Sequence, residues 1–391
     1  MGREIQMRDF LSEVKKYIVK ETEPITGWKK REAIYHGPEE YQYLDKEWSS
    51  LEVGDDWSEG EHTTTFFKAQ GGFPAEWAGQ QVNLKVETGG EACLYINGQI
   101  YHGLDENHHH APLESEKWAG DKLEIMVEGA LNRINKIYVP APNYRHQLSV
   151  AEFQLINSHA EEFYFNILAL VELYEALKER EEAGAYDIKK LIKELKTVFF
   201  NEVDFIKLNQ LYQQRVKDLN QGNSYQMACF GHAHIDVAWL WQFKETVRKT
   251  GRTFSTALRL MEKYPEFQFI QSQPQLYQYV KRFYPTLYQE IKEKVDSGQW
   301  QPEGAMWVEA DTNLPSGESL VRQFLYGKQF FKEEFGIDSR VCWLPDVFGY
   351  TGALPQIMKK SEVDYFMTSK ISWNDTNEFP YAIFHWEGID G

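Results

Sequence analysis

Residues 227–241 read Met-Ala-Cys-Phe-Gly-His-Ala-His-Ile-Asp-Val-Ala-Trp-Leu-Trp, and this stretch decides the fold of the second half of the chain. The apolar run Met227–Phe230 predicts a buried strand, and polar residues follow it at once. Because alternate residues of an extended chain project to the same side, His234 and Asp236 can face one ion. Imidazole nitrogen and carboxylate oxygen are ligands that suit zinc.

This His-x-His-x-Asp pattern is only moderately specific. It also occurs in amidohydrolases and other metal enzymes, and a hydrogen-bonded His and Asp at a strand end would need no metal. A metal-dependent deacetylase or amidohydrolase is disfavoured, because no further histidine-rich strand end appears before the chain stops.

Beyond this stretch, short apolar runs alternate with longer helical patterns. The patterns predict strands at Met227–Phe230, Phe267–Ile270, Ala305–Val308, Val341–Leu344 and Tyr365–Thr368, and helices at 245–262, 276–296, 317–335 and 353–360. Five βα-type units imply a parallel sheet, closed or open, so we predict that 225–391 form the N-terminal part of a (β/α) barrel-like catalytic domain. Polar residues follow the strand ends, where such folds place active sites: His232, His234, Asp236, Gln271, Gln273, Glu309, Asp311, Asp346 and Lys370.

A second polar constellation is the stretch Cys342–Tyr350, in which Asp346 ends a buried strand among aromatic residues. Burial there would raise the pKa of the carboxyl group, unless a metal or a cationic partner keeps it ionised. A helix N-cap after a strand is the alternative role for this aspartate.

In the part of the chain before this segment, apolar and polar residues alternate in the pattern typical of β-strands. Runs at 63–67, 82–86, 93–96 and 123–127 are bounded by turn residues, and Asn97-Gly98 is a strong hairpin signal. We predict a multidomain protein whose residues 1–155 form an antiparallel β-sandwich of jelly-roll type with a short N-terminal helix.

Between these two parts the apolar period becomes helical. Residues 156–224 are predicted to form a helical connecting segment, with a helix-helix turn at Glu181–Gly184 and a final turn at Gln221–Ser224.

The composition limits the classes of partner. The formal net charge of −17 repels phosphate backbones and anionic lipid, so no nucleic acid and no membrane are expected. No signal peptide or membrane-spanning run is evident, and a cytoplasmic protein is expected. Cys93, Cys229 and Cys342 are expected to be reduced, buried thiols. We expect the three consecutive histidines of Asp105–His110 to lie on a solvated loop, because neighbouring residues rarely converge on one ion.

Together the two motifs, His232–Trp239 and Trp343–Tyr350, resemble glycoside hydrolase family 38, the class II α-mannosidases. The resemblance runs from about Met227 to the last residue and includes further stretches of the bacterial and vacuolar branch at 307–311, 315–319, 369–374 and 386–391. The sandwich resembles, more weakly, the N-terminal β domain of long bacterial members.

The resemblance implies roles for individual residues. His234 and Asp236 match two zinc ligands, and Asp346 matches both a third ligand and the catalytic nucleophile. Trp239, Phe348 and Lys370 match substrate-binding positions: an aromatic under the sugar, a second aromatic wall, and a cation near the nucleophile. His232 is expected to orient a ligand rather than bind the ion.

The implied activity is retaining hydrolysis of terminal α-mannosidic bonds through a covalent mannosyl-enzyme, with one Zn²⁺ per site and a mannose-containing oligosaccharide or glycan as substrate. A homo-oligomer is a possible assembly. The family's fourth zinc ligand and its general acid lie beyond Gly391. We therefore expect this chain to be an N-terminal fragment, with little activity and weaker zinc binding than the full-length enzyme.

Two alternatives stay open. A mannosylglycerate-type hydrolase of the same family would use the same metal and nucleophile on a different leaving group. A non-catalytic carbohydrate-binding or assembly module would instead rely on the sandwich and on its aromatics Trp57, Trp77 and Trp118.

Overall fold

The computed structural model describes residues 2–57, 64–130, 146–219 and 227–391. Its first part is an antiparallel β-sandwich, as predicted. The strands are β1 Val19–Pro24, β2 Lys29–Gly37, β3 Glu40–Tyr43, β4 Ser49–Ser50, β5 Thr64–Gly71, β6 Val82–Glu87, β7 Glu91–Ile96, β8 Gln99–Leu104, β9 His110–Leu113, β10 Leu123–Ala130 and β11 Val150–Ile156. In the described part of the chain, one sheet has the order β1-β11-β6-β9, and the other has the order β3-β2-β5-β10-β7-β8 with β4 paired to β2.

The predicted hairpin is confirmed. Strands β7 and β8 pair in antiparallel register around Asn97 and Gly98. Both turn residues have positive φ, 51° and 77°, which is the geometry that makes Asn-Gly favourable in a two-residue turn.

The sandwich core contains the aromatics on which the binding-module alternative relied. Trp57, Trp77 and Trp118 are all buried, and the indole N–H of Trp57 donates to the carbonyl of Thr88. These rings pack between the sheets and face no solvent, so they do not form a sugar-binding platform.

A three-helix segment follows the sandwich. The helices are α3 Ser158–Glu179, α4 Gly184–Asn201 and α5 Phe205–Leu219, after α1 Gly2–Lys15 and the short α2 Ser115–Trp118. Helix α1 packs on this segment, where Phe10 contacts Phe163 and Phe199 with ring centroids 6.4 Å and 5.4 Å away. The predicted turn near Gly184 is confirmed, whereas Gln221–Ser224 lies outside the described residues, and the predicted domain limits stay a prediction.

The second half alternates short strands and helices. The strands are β12 Gly231–His232, β13 Phe269–Gln271, β14 Trp300–Pro302, β15 Val341–Trp343 and β16 Tyr365–Met367, and the helices are α6 Phe243–Lys263, α7 Pro274–Phe283, α8 Pro285–Asp296, α9 Gly317–Phe335 and α10 Leu354–Lys360. All strand pairs here are parallel. Within the described residues they form two sheets, β12-β13-β14 and β15-β16, and no closed barrel.

Several predicted elements differ in position. Ala305–Val308 is not a strand, because Ala305 adopts a left-handed φ of 53° and the third strand ends at Pro302. The single helix predicted over 276–296 is two helices, because Pro285 lacks the N–H needed to continue the first one. The first strand pairs at Gly231–His232 rather than over 227–230, which leaves Cys229 exposed, while Cys93 and Cys342 are buried as predicted.

Helix α6 joins the two halves by packing on the sandwich. Gly103 lies so close to the backbone of Arg252 that a Cβ there would come within 2.9 Å of its carbonyl oxygen. Six charged residues, four of them buried, lie at this contact and are here named the interface cluster: Glu91, Glu128, Glu245, Arg248, Lys249 and Arg252.

None of the helices in the described ranges is long and apolar enough to cross a membrane.

Candidate active site

Three side chains converge where β12 and β15 end. The imidazole Nε2 of His234 lies 3.1 Å from Oδ1 of Asp236 and 3.5 Å from Oδ2 of Asp346. The extended chain after β12 places His234 and Asp236 on one side, and a bond from the Trp343 indole N–H to His232 Nε2 at 3.2 Å draws β15 towards β12. One ligand atom from each of these three residues lies within 4.8 Å of the other two.

Asp346 lies in a loop and caps no helix. The helix that follows, α10, has Ala353 as its N-cap, so the N-cap role weighed for this aspartate is wrong. Its Oδ1 instead accepts a charge-assisted bond from Lys370 Nζ at 2.8 Å, and the other oxygen faces His234. Lys370 thus holds one carboxylate oxygen and leaves the other directed towards the convergent group.

A buried carboxylate, named above only as a polar strand-end residue and given no role there, lies behind His234. Glu309 has a side chain only 2% exposed, and its Oε2 contacts Nδ1 of the histidine. Its Oε1 accepts from Ser272 Oγ and lies 3.6 Å from His232 Nε2. Burial alone would raise its pKa, but hydrogen bonds from His232 and His234 hold the pKa of Glu309 below its usual value.

The carboxylates also act on the histidine. Burial would lower the pKa of His234, but hydrogen bonds to Asp236 and Glu309 outweigh burial and raise it to about 10. A positive charge is therefore strongly favoured at this position.

We name His234, Asp236, Glu309, Asp346 and Lys370 the site cluster. The cluster contains three carboxylates and one ammonium group, so with a neutral imidazole it carries an excess of two negative charges. A divalent cation would neutralise that excess. The donor set also suits zinc, which binds imidazole nitrogen and carboxylate oxygen, so the residues present fit the ion.

Two exposed aromatic rings flank Lys370 of the site cluster. Phe348 and Trp373 are 61% and 71% exposed, and the Lys370 ammonium lies 5.3 Å and 3.9 Å from their ring centroids. Trp239, 49% exposed, packs edge-on against Trp241. Trp373 was not predicted as a site residue, although its place in the stretch 369–374 was a usable signal.

The remaining strand-end residues have structural partners. Gln271 and Gln273 donate to the carbonyls of Ala233 and Ile235, and so hold the backbone on which His234 lies. Asp311 accepts from two backbone N–H groups of its own loop.

The predicted loop with three histidines does not form a metal site. Within the described ranges, His234, Asp236 and Asp346 are the one group of this kind that could hold a metal ion. His108 pairs instead with Asp105 at 3.0 Å.

Comparisons with known proteins match both halves of the chain. Residues 224–391 match the model described as glycosyl hydrolases family 38 N-terminal domain, and residues 24–154 match the model described as alpha-mannosidase, jelly roll domain. The domain types predicted for the two halves are therefore confirmed.

Similar proteins carry matching names. The chain is 35% identical over 347 residues to alpha-mannosidase G of Dictyostelium discoideum, covering 84% of this chain and 32% of that protein. It is 37% identical over 342 residues to alpha-mannosidase 2C1 of Homo sapiens, covering 84% and 33%. The chain thus spans about a third of the length of these curated relatives. The crystal structure of an alpha-mannosidase from Enterococcus faecalis V583 is 26% identical, with a TM-score of 0.33, and covers 36% of this chain and 16% of that one.

Proposed function

We propose that this chain supplies metal ligands and the nucleophile of a zinc-dependent retaining α-mannosidase. The matches of its two halves to an α-mannosidase jelly-roll domain and to the N-terminal domain of glycosyl hydrolase family 38 support this proposal. The observation that carries the proposal is the convergence of His234, Asp236 and Asp346 within 4.8 Å. Because the chain spans only part of its relatives, the activity is proposed for the full-length protein that contains it.

His234, Asp236 and Asp346 would hold the zinc ion. When bound, the ion would act as a Lewis acid on the oxygens of the substrate sugar and would neutralise the excess negative charge of the site cluster. The chain's own contribution is to keep these donors together: Gln271 and Gln273 fix the ligand backbone.

Asp346 is the proposed nucleophile. In retaining hydrolysis, one of its carboxylate oxygens forms a bond to the anomeric carbon while the bond to the leaving oxygen breaks, and a general acid protonates that oxygen. Water then cleaves the glycosyl ester and regenerates the carboxylate. Lys370, 2.8 Å from Oδ1, would fix the orientation of the carboxylate through a charge-assisted hydrogen bond.

The exposed rings next to Asp346 support a sugar as the substrate. Phe348 and Trp373 present apolar faces beside the carboxylate, and such faces pack against the C–H groups of a pyranose. We propose that Phe348, Lys370 and Trp239 bind the terminal mannose of an oligosaccharide or glycan.

A labelling experiment tests the proposal directly. The full-length protein is treated with a fluorinated mannosyl fluoride, which forms the glycosyl ester quickly and hydrolyses it slowly, and the labelled peptide is identified by mass spectrometry. We expect the label on Asp346, loss of labelling in Asp346→Asn, and release of α-mannose as the first anomer from aryl α-mannoside. A label on another carboxylate, or β-mannose as the first product, would overturn the assignment.

The leaving group is tested separately. The same protein is given mannobioses of each linkage and mannosylglycerate, with metal content measured in parallel. Preferred cleavage of mannosylglycerate would replace the glycan substrate, while the metal site and nucleophile would stand.

A further inference from the structure

We infer that Glu309 is a positioning residue that fixes His234 in the ring orientation and tautomer with which it binds the metal ion. The inference rests on the proposed zinc site and goes beyond it, because Glu309 belongs to no predicted ligand set.

The contact is made to the ring nitrogen that faces away from the other ligands. Oε2 of Glu309 contacts Nδ1 of His234, whereas Nε2 of the same ring lies 3.1 Å from Asp236 and 3.5 Å from Asp346. With Nδ1 protonated and donating to Glu309, Nε2 carries the lone pair that a metal ion requires.

Glu309 is not itself one of the proposed metal ligands. The cluster of donor atoms that lie within 4.8 Å of one another contains His234, Asp236 and Asp346, and Glu309 is not in it. Its carboxylate is on the opposite edge of the imidazole. A carboxylate that accepts from the distal N–H of a metal-bound histidine orients the ring and raises its basicity.

Two hydrogen bonds hold Glu309 in addition to its contact with His234. Ser272 Oγ donates to Oε1, and the backbone N–H of Glu309 donates to Gln273 Oε1 at 3.1 Å. The same Gln273 donates to the carbonyl of Ile235, the residue after His234. The Glu309 carboxylate and the backbone next to His234 thus belong to one hydrogen-bond network. The Glu309 side chain is only 2% exposed, so the surrounding residues restrict its movement.

A carboxylate on the same segment provides a matched control. Glu303 also accepts from a serine hydroxyl, that of Ser339, and from the backbone N–H of Val341 at 3.0 Å. These bonds, together with one from the backbone N–H of Arg340, tie Glu303 to the 339–341 segment and not to His234. Substitution at Glu303 therefore removes a comparable hydrogen-bonded carboxylate without touching the ligand.

The test uses Co²⁺ as the probe, with affinity measured by calorimetry and ligand geometry by the visible absorption of the bound ion. We expect Glu309→Ala to weaken Co²⁺ binding about 100-fold and to change the spectrum, and Glu309→Gln, whose amide oxygen still accepts from Nδ1, to weaken it about 10-fold. Glu303→Gln is expected to lower the thermal midpoint while the affinity and spectrum stay as in the unmodified protein. Circular dichroism verifies that each variant is folded.

The outcomes separate this inference from the proposed function. Co²⁺ binding that disappears in His234→Ala but keeps full strength in both Glu309 variants would overturn the positioning role alone. The same loss of affinity in Glu303→Gln as in Glu309→Ala would also overturn it, because the effect would then be general destabilisation. The measurements are made on the full-length protein, and if the unmodified form binds no Co²⁺, the metal site is overturned and with it the role of Glu309.

Discussion

Two groups of charged residues lie within the fold, and they differ in how their charges balance. The interface cluster, between the sandwich and helix α6, contains three carboxylates and three cationic side chains and is formally neutral. The site cluster, at the ends of β12 and β15, contains three carboxylates and one lysine around a histidine.

The interface cluster satisfies its own members. Arg248 donates to Glu245 at 2.8 Å, to Glu128 at 3.0 Å and to Thr64 at 2.8 Å, and Arg252 bridges Glu91 and Glu245. Its charges need no external partner, so its role is to fix how α6 docks on the sandwich. Burial of charge alone therefore does not distinguish an active site, and the feature that sets the site cluster apart is its excess of negative charge.

One buried and one partly buried histidine also differ in how charged neighbours surround them. His102, in β8 beside the interface, is 2% exposed with no partner at Nδ1, and burial lowers its pKa to about 4. His234, among carboxylates, has its pKa raised to about 10 despite burial. Burial therefore keeps His102 neutral at neutral pH, whereas the neighbouring carboxylates outweigh burial at His234 and favour its protonated form.

The largest expected effect is at the interface. Arg248→Ala leaves Glu128 buried without its cationic partner and Glu245 paired with Arg252 alone, and should lower the free energy of unfolding by about 3–5 kcal/mol in urea denaturation. Arg8→Ala, at an ion pair whose arginine is 71% exposed, is the control and should change stability by less than about 1 kcal/mol. Equal effects of the two substitutions would remove the distinction between buried and exposed pairs.

The next effect is the acid sensitivity of His102. Its folded pKa is about 4 against an ordinary value of 6.5, so the unfolded chain binds the proton more tightly. The contribution of neutral His102 to the free energy of unfolding is fully present above the ordinary pKa and is lost as the pH is lowered. The loss is about 3 kcal/mol between about pH 7.5 and about pH 4. His102→Gln should remove this share of the loss in urea titrations, whereas His36→Gln, at an exposed position, should leave the pH dependence unchanged.

The site cluster should respond to a cation and the interface cluster should not. Zn²⁺ at about 100 times its dissociation constant should stabilise the folded protein by about 2.7 kcal/mol, and a chelator should reverse the shift. Thermal unfolding of the unmodified protein and of His234→Ala measures this. A zinc-induced shift that persists in His234→Ala would place the ion elsewhere.

The smallest stability change is expected at Asp236. Asp236→Asn removes one negative charge from a cluster that has an excess of them. The free energy of unfolding of the metal-free protein should therefore change by less than about 1 kcal/mol. The stabilisation by Zn²⁺ should nevertheless be largely lost, because a ligand is gone. Urea unfolding with and without the ion measures both. A large destabilisation of the metal-free variant would show that the site cluster resembles the interface cluster.

Local features of the fold could be predicted from the sequence. The helix predicted over 317–335 is observed at Gly317–Phe335, because Ser316 caps its start through a bond from Ser319 N–H and Gly336 ends it with a φ of 70°. The prediction of a strand at Ala305–Val308 is wrong, because a contact with a distant part of the chain decides the conformation there. That segment packs directly on Gly327 of α9, so a tertiary contact overrides its apolar pattern.

The sequence alone determined the spacing of His234 and Asp236, because an extended backbone places alternate side chains on one side. The position of Asp346 at the end of a strand could also be predicted from the sequence, whereas its distance from His234 could not. Only the tertiary structure decided that distance, because more than a hundred residues separate the two, and their approach depends on how two small sheets pack. The structure likewise decided that Glu309 lies behind the histidine and that helix α6 buries a neutral set of charges. Backbone geometry is local and periodic, whereas the balance of charge in a buried cluster exists only once distant segments have met.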